Sequence, residues 1–134
     1  MTLLLDTHTV LWMSEDLPSL GKAARKACVD ALIADSIAVP SIVFYEVGSL
    51  LRRCRVAGPP SVKEWRSRLV ARGLKEVPLT AEIAMAASEL EAMHGDPIDR
   101  IIVATAQIED AVLLTADRAI LDWKGKVRRQ DARR

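Results

Sequence analysis

Five acids, Asp6, Glu46, Asp96, Asp99 and Asp117, stand in otherwise apolar surroundings. Asp6 directly follows Leu3-Leu4-Leu5, and Asp117 follows Leu113-Leu114-Thr115-Ala116. Such short apolar runs read as strands buried on both faces of a parallel sheet. Their carboxylates then fall at strand carboxyl ends, where open α/β sheets bind ligands. Glu46 is the only charge between Ile42 and Leu51, in a stretch apolar enough to read as a mostly buried helix. Asp96 and Asp99 open the helix that begins at Pro97. Each acid also has a plainer role open to it. Asp6 and Asp96 suit N-caps, Asp99 suits the positive end of a helix dipole, and Glu46 could pair with Arg53 on an exposed face.

Grouping changes that balance. If the first strand and the one before Asp117 are neighbours at the switch point of a doubly wound sheet, Asp6 and Asp117 come within reach, with Thr115 able to donate to a carboxylate. Two like charges ~4 Å apart repel by about 4 kcal/mol at an effective dielectric near 20. A hard divalent cation supplies the counter-charge, and an all-oxygen set suits Mg²⁺ or Mn²⁺ better than Zn²⁺. His8 and His94 are isolated and read as polar surface or loop residues.

The elements that must position these acids alternate. Strands are expected at Leu3–Leu5, Ser36–Pro40, Leu74–Leu79 and Ala111–Thr115. Helices are expected from Val10, over Gly21–Ala34, over Ile42–Val56 capped by Ser41, to Ala71 from a Ser61/Glu64 capping box, over Ala81–Met93 capped by Thr80, and from Pro97 to Glu109. Lys126-Val127-Arg128 could add a weak edge strand, and the last residues are expected to fray. Alternating elements imply a parallel sheet with helices on both faces.

At 134 residues, 50% hydrophobic and 4% aromatic, the chain suits one domain with an aliphatic core. Its net charge of +1 hides segregation: the stretch from Arg52 to Lys75 is basic but for Glu64, the stretch from Glu76 to Asp110 is acidic but for Arg100, and Lys124–Arg134 turns basic again. Cys28 and Cys54 match no metal or redox spacing, and neither a secretory leader nor a membrane span is visible, so the cytoplasm is the expected compartment. The six glycines form no phosphate-cradling cluster, and no second acid adjoins Asp6 as a receiver domain requires.

Leu5-Asp6-Thr7-His8 with Leu11-Trp12, Ser41 to Glu46, Asp96-Pro97-Ile98-Asp99-Arg100 and Leu113-Leu114-Thr115-Ala116-Asp117 come in one order from Leu3 to about Asp122. In that ordered set the chain resembles the PIN domains, and more narrowly the VapC-type toxins of toxin–antitoxin pairs. Ile98 and Tyr45 stand where relatives often carry larger aromatic residues, and the basic tail is outside the motif.

The resemblance implies a three-layer α/β/α fold around a mostly parallel sheet of four to five strands, one PIN domain over residues 1–134 with a basic tail at 124–134. It implies a Mg²⁺- or Mn²⁺-dependent endoribonuclease whose acidic cluster is Asp6, Glu46, Asp99 and Asp117, with Asp96 capping the helix. Asp6, Asp99 and Asp117 would ligate metal, Glu46 would ligate or act as base, and Thr7 and Thr115 would orient carboxylates. Arg52, Arg53, Arg55, Lys63 and Arg66 could carry the RNA backbone or simply form a solvated helix face. A homodimer mate and a cognate antitoxin are the expected partners, with no membrane. The competing reading is a catalytically silent PIN-like module that binds RNA or a partner.

Overall fold

The structure, a computed structural model, describes residues 1–54 and 58–134. Five strands, β1 (Leu3–Leu5), β2 (Ile37–Pro40), β3 (Lys75–Val77), β4 (Val112–Thr115) and β5 (Arg128–Asp131), form one sheet in the order β3-β2-β1-β4-β5, every pairing parallel. All residues of β1 and β2 are buried although neighbouring side chains point to opposite faces, so the sheet is covered on both sides. This is the three-layer α/β/α arrangement expected from the sequence. The order reverses between β1 and β4, whose register pairs Leu5 with Leu114. The carboxyl ends of those two strands open at the switch point.

The helices are α1 (Thr7–Ser14), α2 (Lys22–Ile33), α3 (Ile42–Arg52), α4 (Val62–Ala71), α5 (Ala81–Ser88), α6 (Pro97–Ile108) and α7 (Arg118–Asp122). Side-chain caps set several starts: Ser61 accepts from Glu64 N at 3.3 Å and Thr80 from Ile83 N at 3.2 Å. Gly73 closes α4 with φ +103°, a conformation that favours glycine. On the inner side of α3 and α4, Trp65 is wholly buried, packs edge-on to Phe44 with centroids 5.7 Å apart, and donates Nε1 to Ser14 Oγ at 2.8 Å.

Some expectations need correction. Ser41 has helical φ and ψ and makes no side-chain cap, so α3 starts without one. Within α3 only Val43 and Val47 are buried, while Tyr45 is 67% exposed. The helix is amphipathic rather than buried all round, because its large apolar residues lie on opposite sides. Helix α5 stops at Ser88, five residues early, where Arg100 takes over the carbonyls that follow.

The tail does not fray. β5 pairs with β4, Ala132 is fully buried, Gly21 N donates to Ala132 O at 2.8 Å, and Ala23 N donates to Arg134 O at 2.7 Å. A Cβ on Gly21 would lie 2.2 Å from the backbone carbon of Arg134, so only glycine lets the tail approach α2 this closely. Backbone pairing is blind to side-chain polarity, which is how Arg-Arg-Gln-Asp can be a strand. Among the described residues, no helix is long and apolar enough to cross a membrane.

Candidate metal centre

Asp6 leaves β1 and caps α1. Its Oδ1 accepts from Thr9 N at 3.0 Å and its Oδ2 accepts the hydroxyl of Thr115, at the end of β4. Thr115 Oγ1 in turn accepts from Asp117 N at 3.0 Å, so one buried hydroxyl joins the two strand-end acids. Asp117 caps α7, accepting from Ala119 N at 2.8 Å and Ile120 N at 3.2 Å. Asp96 caps α6 through Ile98 N at 3.0 Å with Pro97 at the first helical position, and Asp99 follows in the first turn.

These side chains converge. A cleft of about 460 Å³ is lined by Asp6, Thr7, His8, Trp12, Glu46, Asp96, Asp99 and Asp117, with Ile102, Ala116, Arg118 and Arg133 completing its wall. All five acids singled out from the sequence therefore share one space. Glu46 is half-buried rather than buried, which removes the burial argument for it but leaves it facing the cleft. Among the described residues none of the five has a Lys or Arg within ion-pair distance. The alternative Glu46–Arg53 pair is not formed; Arg53 Nε donates to Ser49 O at 3.3 Å.

Uncompensated charge shows in the acidities. Burial and then the negative charges of Asp117 and Asp96 push the Asp99 carboxyl up to about 8. Burial raises Asp6 as well, against the pull of the hydrogen bonds from Thr115 and Thr9. A carboxyl held so far from its ordinary range is stabilised in its ionised form by a cation.

His94, read from the sequence as a loop residue, lies with Nε2 3.5 Å from Asp99 Oδ2. One ligand atom from each of His94, Asp99 and Asp117 falls within 4.8 Å of the others. His94 Nδ1 accepts from Asp96 N at 3.3 Å, which leaves Nε2 facing the carboxylate. Arg100 holds it there: its guanidinium donates to the carbonyls of Ala87 (3.0 Å), Ser88 (3.3 Å), Leu90 (2.8 Å), Met93 (3.0 Å) and His94 (3.3 Å). The only sequence signal for this was one base inside a long acidic stretch.

A divalent metal fits these residues. The donor set is carboxylate oxygen throughout, and Thr7 Oγ1, buried on the cleft wall, has no hydrogen-bond partner among the described residues. Of the basic residues considered for RNA, Arg52 and Arg53 line a second cavity that also contains Glu46, Tyr45 and Ile98. Lys63 is exposed on α4 away from both cavities, and Arg66 makes a two-pronged pair with Glu76 at 2.6 and 2.7 Å. Arg55 lies outside the described residues.

A parallel sheet with carboxylates gathered in a cleft at its switch point defines an α/β protein with an acidic candidate site, and residues 3–126 match the PIN domain: the chain belongs to that family. It is 34% identical over 120 residues to Ribonuclease VapC22 of Mycobacterium tuberculosis, covering 89% of each chain. In fold it is similar to a chain of VapBC2 from Rickettsia felis bound to a promoter DNA fragment, with TM-score 0.69, 18% identity, and 98% and 100% of the two chains covered. It is likewise similar to a chain of a toxin–antitoxin complex from Klebsiella pneumoniae, with TM-score 0.57, 21% identity and 87% of each chain covered.

Proposed function

We propose that this chain is a metal-dependent endoribonuclease that acts as the toxin of a toxin–antitoxin pair, residues 1–134 forming one PIN domain. The observation that carries the reading is the convergence of five acids, none with a Lys or Arg partner among the described residues, in a chain 34% identical to a ribonuclease. Asp6, Asp99 and Asp117 would hold Mg²⁺ or Mn²⁺, with Glu46 as a further ligand or as the base toward the attacking water. Such a cation, when bound, supplies Lewis acidity and neutralises charge on the phosphate and leaving oxygen.

The chain's own residues do the positioning. Thr115 fixes the rotation of the Asp6 carboxylate, and the Asp117 cap points its remaining oxygen toward the cleft wall. Glu46, half-buried, lines the cleft and can accept a proton from a water held there. The Thr7 hydroxyl offers a hydrogen-bonding group to whatever occupies the cleft. Asp96 holds the start of α6, and so the position of Asp99. A protein antitoxin as partner is supported by the likeness to a toxin–antitoxin complex; a homodimer is the state we expect of the free chain, to be read by light scattering.

The test is cleavage of labelled structured and unstructured RNAs by the purified chain with Mg²⁺ or Mn²⁺, with chelator, and by Asp6→Asn. Asparagine keeps an oxygen for Thr9 N and presents its amide to the Thr115 hydroxyl, so the variant should fold. Metal-dependent products absent from the variant support the enzyme. The absence of both cleavage and a melting temperature raised by metal favours the silent binding module.

A further inference from the structure

The cleft has a second kind of wall. Two arginines line it beside the acids, and they differ. Arg118 lies 3.6 Å from Asp122 and 3.5 Å from Asp131, so its charge is answered. Arg133 also lines the cleft, and among the described residues no carboxylate lies within ion-pair distance of it. It is nonetheless held. Its Nη1 donates to the carbonyl of Ala116, between Thr115 and Asp117, and its guanidinium carbon lies 5.5 Å from the ring centroid of Trp12. The backbone is fixed too, with Arg133 N donating to Asp131 Oδ1 at 2.9 Å and Ala132 N to Thr115 O at 2.8 Å.

An exposed arginine normally gains by pairing with a nearby acid, and five acids share this cleft. Arg133 is tied instead to a carbonyl and an aromatic face, leaving the rest of its five N–H donors unengaged among the described residues. The planar fork suits the two free oxygens of a phosphodiester. Beside it His8 is exposed, its ring 6.3 Å from that of Trp12, so an aromatic pair stands next to the cation. Guanidinium plus aromatic faces is the combination that holds a single nucleic-acid strand, the charge on the backbone and the rings against bases. A polyanion approaching five carboxylates needs such a counter-charge.

We propose that Arg133, seated on Trp12, binds an RNA phosphate next to the acidic cluster and so sets the strand's path across it. This rests on the ribonuclease reading, which it deepens by naming the tail as part of the substrate site. It also gives Gly21 a role, since the tail reaches the cleft only because no Cβ at that position pushes it away.

The experiment compares wild type, Arg133→Ala, Arg133→Lys and Gly21→Ala. Binding of fluorescein-labelled hairpin and single-stranded RNAs is followed by anisotropy with Ca²⁺ in place of Mg²⁺, across a salt series. Cleavage kinetics with Mg²⁺ and melting temperature are measured beside it. Arg133→Ala should weaken binding about tenfold, lower the salt slope by about one, and raise KM with little change in kcat. Arg133→Lys should keep the slope but recover only part of the affinity, and Gly21→Ala should reproduce the alanine phenotype. If wild type binds and cuts RNA while Arg133→Ala matches it in affinity and slope, the proposal is overturned and the ribonuclease stands. A loss of affinity that tracks a lowered melting temperature with an unchanged slope makes Arg133 structural and overturns it as well. A wild type that neither binds nor cuts any of the RNAs overturns the ribonuclease reading, and this proposal with it.

Discussion

Thr115 donates its hydroxyl to the carboxylate of Asp6 across the junction of β4 and β1, and both side chains are buried. The same oxygen accepts the Asp117 N–H. Thr115→Val keeps the shape and removes both bonds. It should cost about 1–3 kcal/mol, because a buried carboxylate oxygen and a backbone N–H lose their partner. Freed to rotate, Asp6 should hold metal about 10–100-fold more weakly. Thr115→Ser should retain most of both. Denaturant titration and metal binding by calorimetry read the two effects, and a valine variant with wild-type metal affinity would refute the orienting role.

The raised pKa of Asp99 has a signed consequence. The unfolded chain loses this proton near pH ~4, the folded chain at about 8. Between those values the unfolded state binds fewer protons, so stability falls as pH rises through the window and levels off above it. Asp6, also raised, acts in the same direction. The melting temperature of chelator-treated protein should therefore decline across this range. Mn²⁺ or Mg²⁺ should restore it most at the alkaline end, where binding need not displace a proton. A metal-induced shift of equal size at both ends would contradict the assignment.

Arg100 serves five carbonyls of the segment that brings His94 to Asp99. Arg100→Lys keeps the charge but cannot reproduce a planar fork with five donors. A loss of about 3 kcal/mol is expected, several backbone acceptors being left without a charged donor. Hydrogen exchange should show faster opening between α5 and α6. Wild-type exchange in the lysine variant would mean the carbonyl net is dispensable.

Arg52 and Arg53 should differ from Arg66 in RNA binding. The first two border the cavity that contains Glu46, whereas Arg66 is engaged by both oxygens of Glu76. Arg52→Ala with Arg53→Ala should lower RNA affinity and its salt slope, and Arg66→Ala should leave both unchanged. The reverse pattern would place the RNA along α4.

Strands β1 and β4 were legible because an apolar run ending in Asp is a local pattern, and the Asp96-Pro97 start of α6 because a cap and a proline act within one turn. Asp6, Asp99 and Asp117 therefore came out of the sequence at their places in the fold. Glu46 is legible for a weaker reason than burial: α3 turns Tyr45 to solvent and leaves Glu46 half-buried, which composition does not disclose. His94, Arg100 and Arg133 act on groups reached only through tertiary contact, and five of the groups that Arg100 meets are backbone carbonyls that carry no sequence signature. β5 was hidden for a similar reason, its place being set by pairing with β4 and by Arg129 Nη1 reaching Ile120 O at 2.9 Å.

The order β3-β2-β1-β4-β5 also has a meaning in time. β1 leaves the ribosome first, yet one of its two flanking strands, the one carrying Thr115 and leading to Asp117, is made 109 residues later. Until then Asp6 has neither its hydroxyl donor nor its neighbouring acid, and Arg133 follows later still. Contacts this distant in sequence close late in folding. The acidic cluster is thus completed only once β4 has been made and has paired with β1.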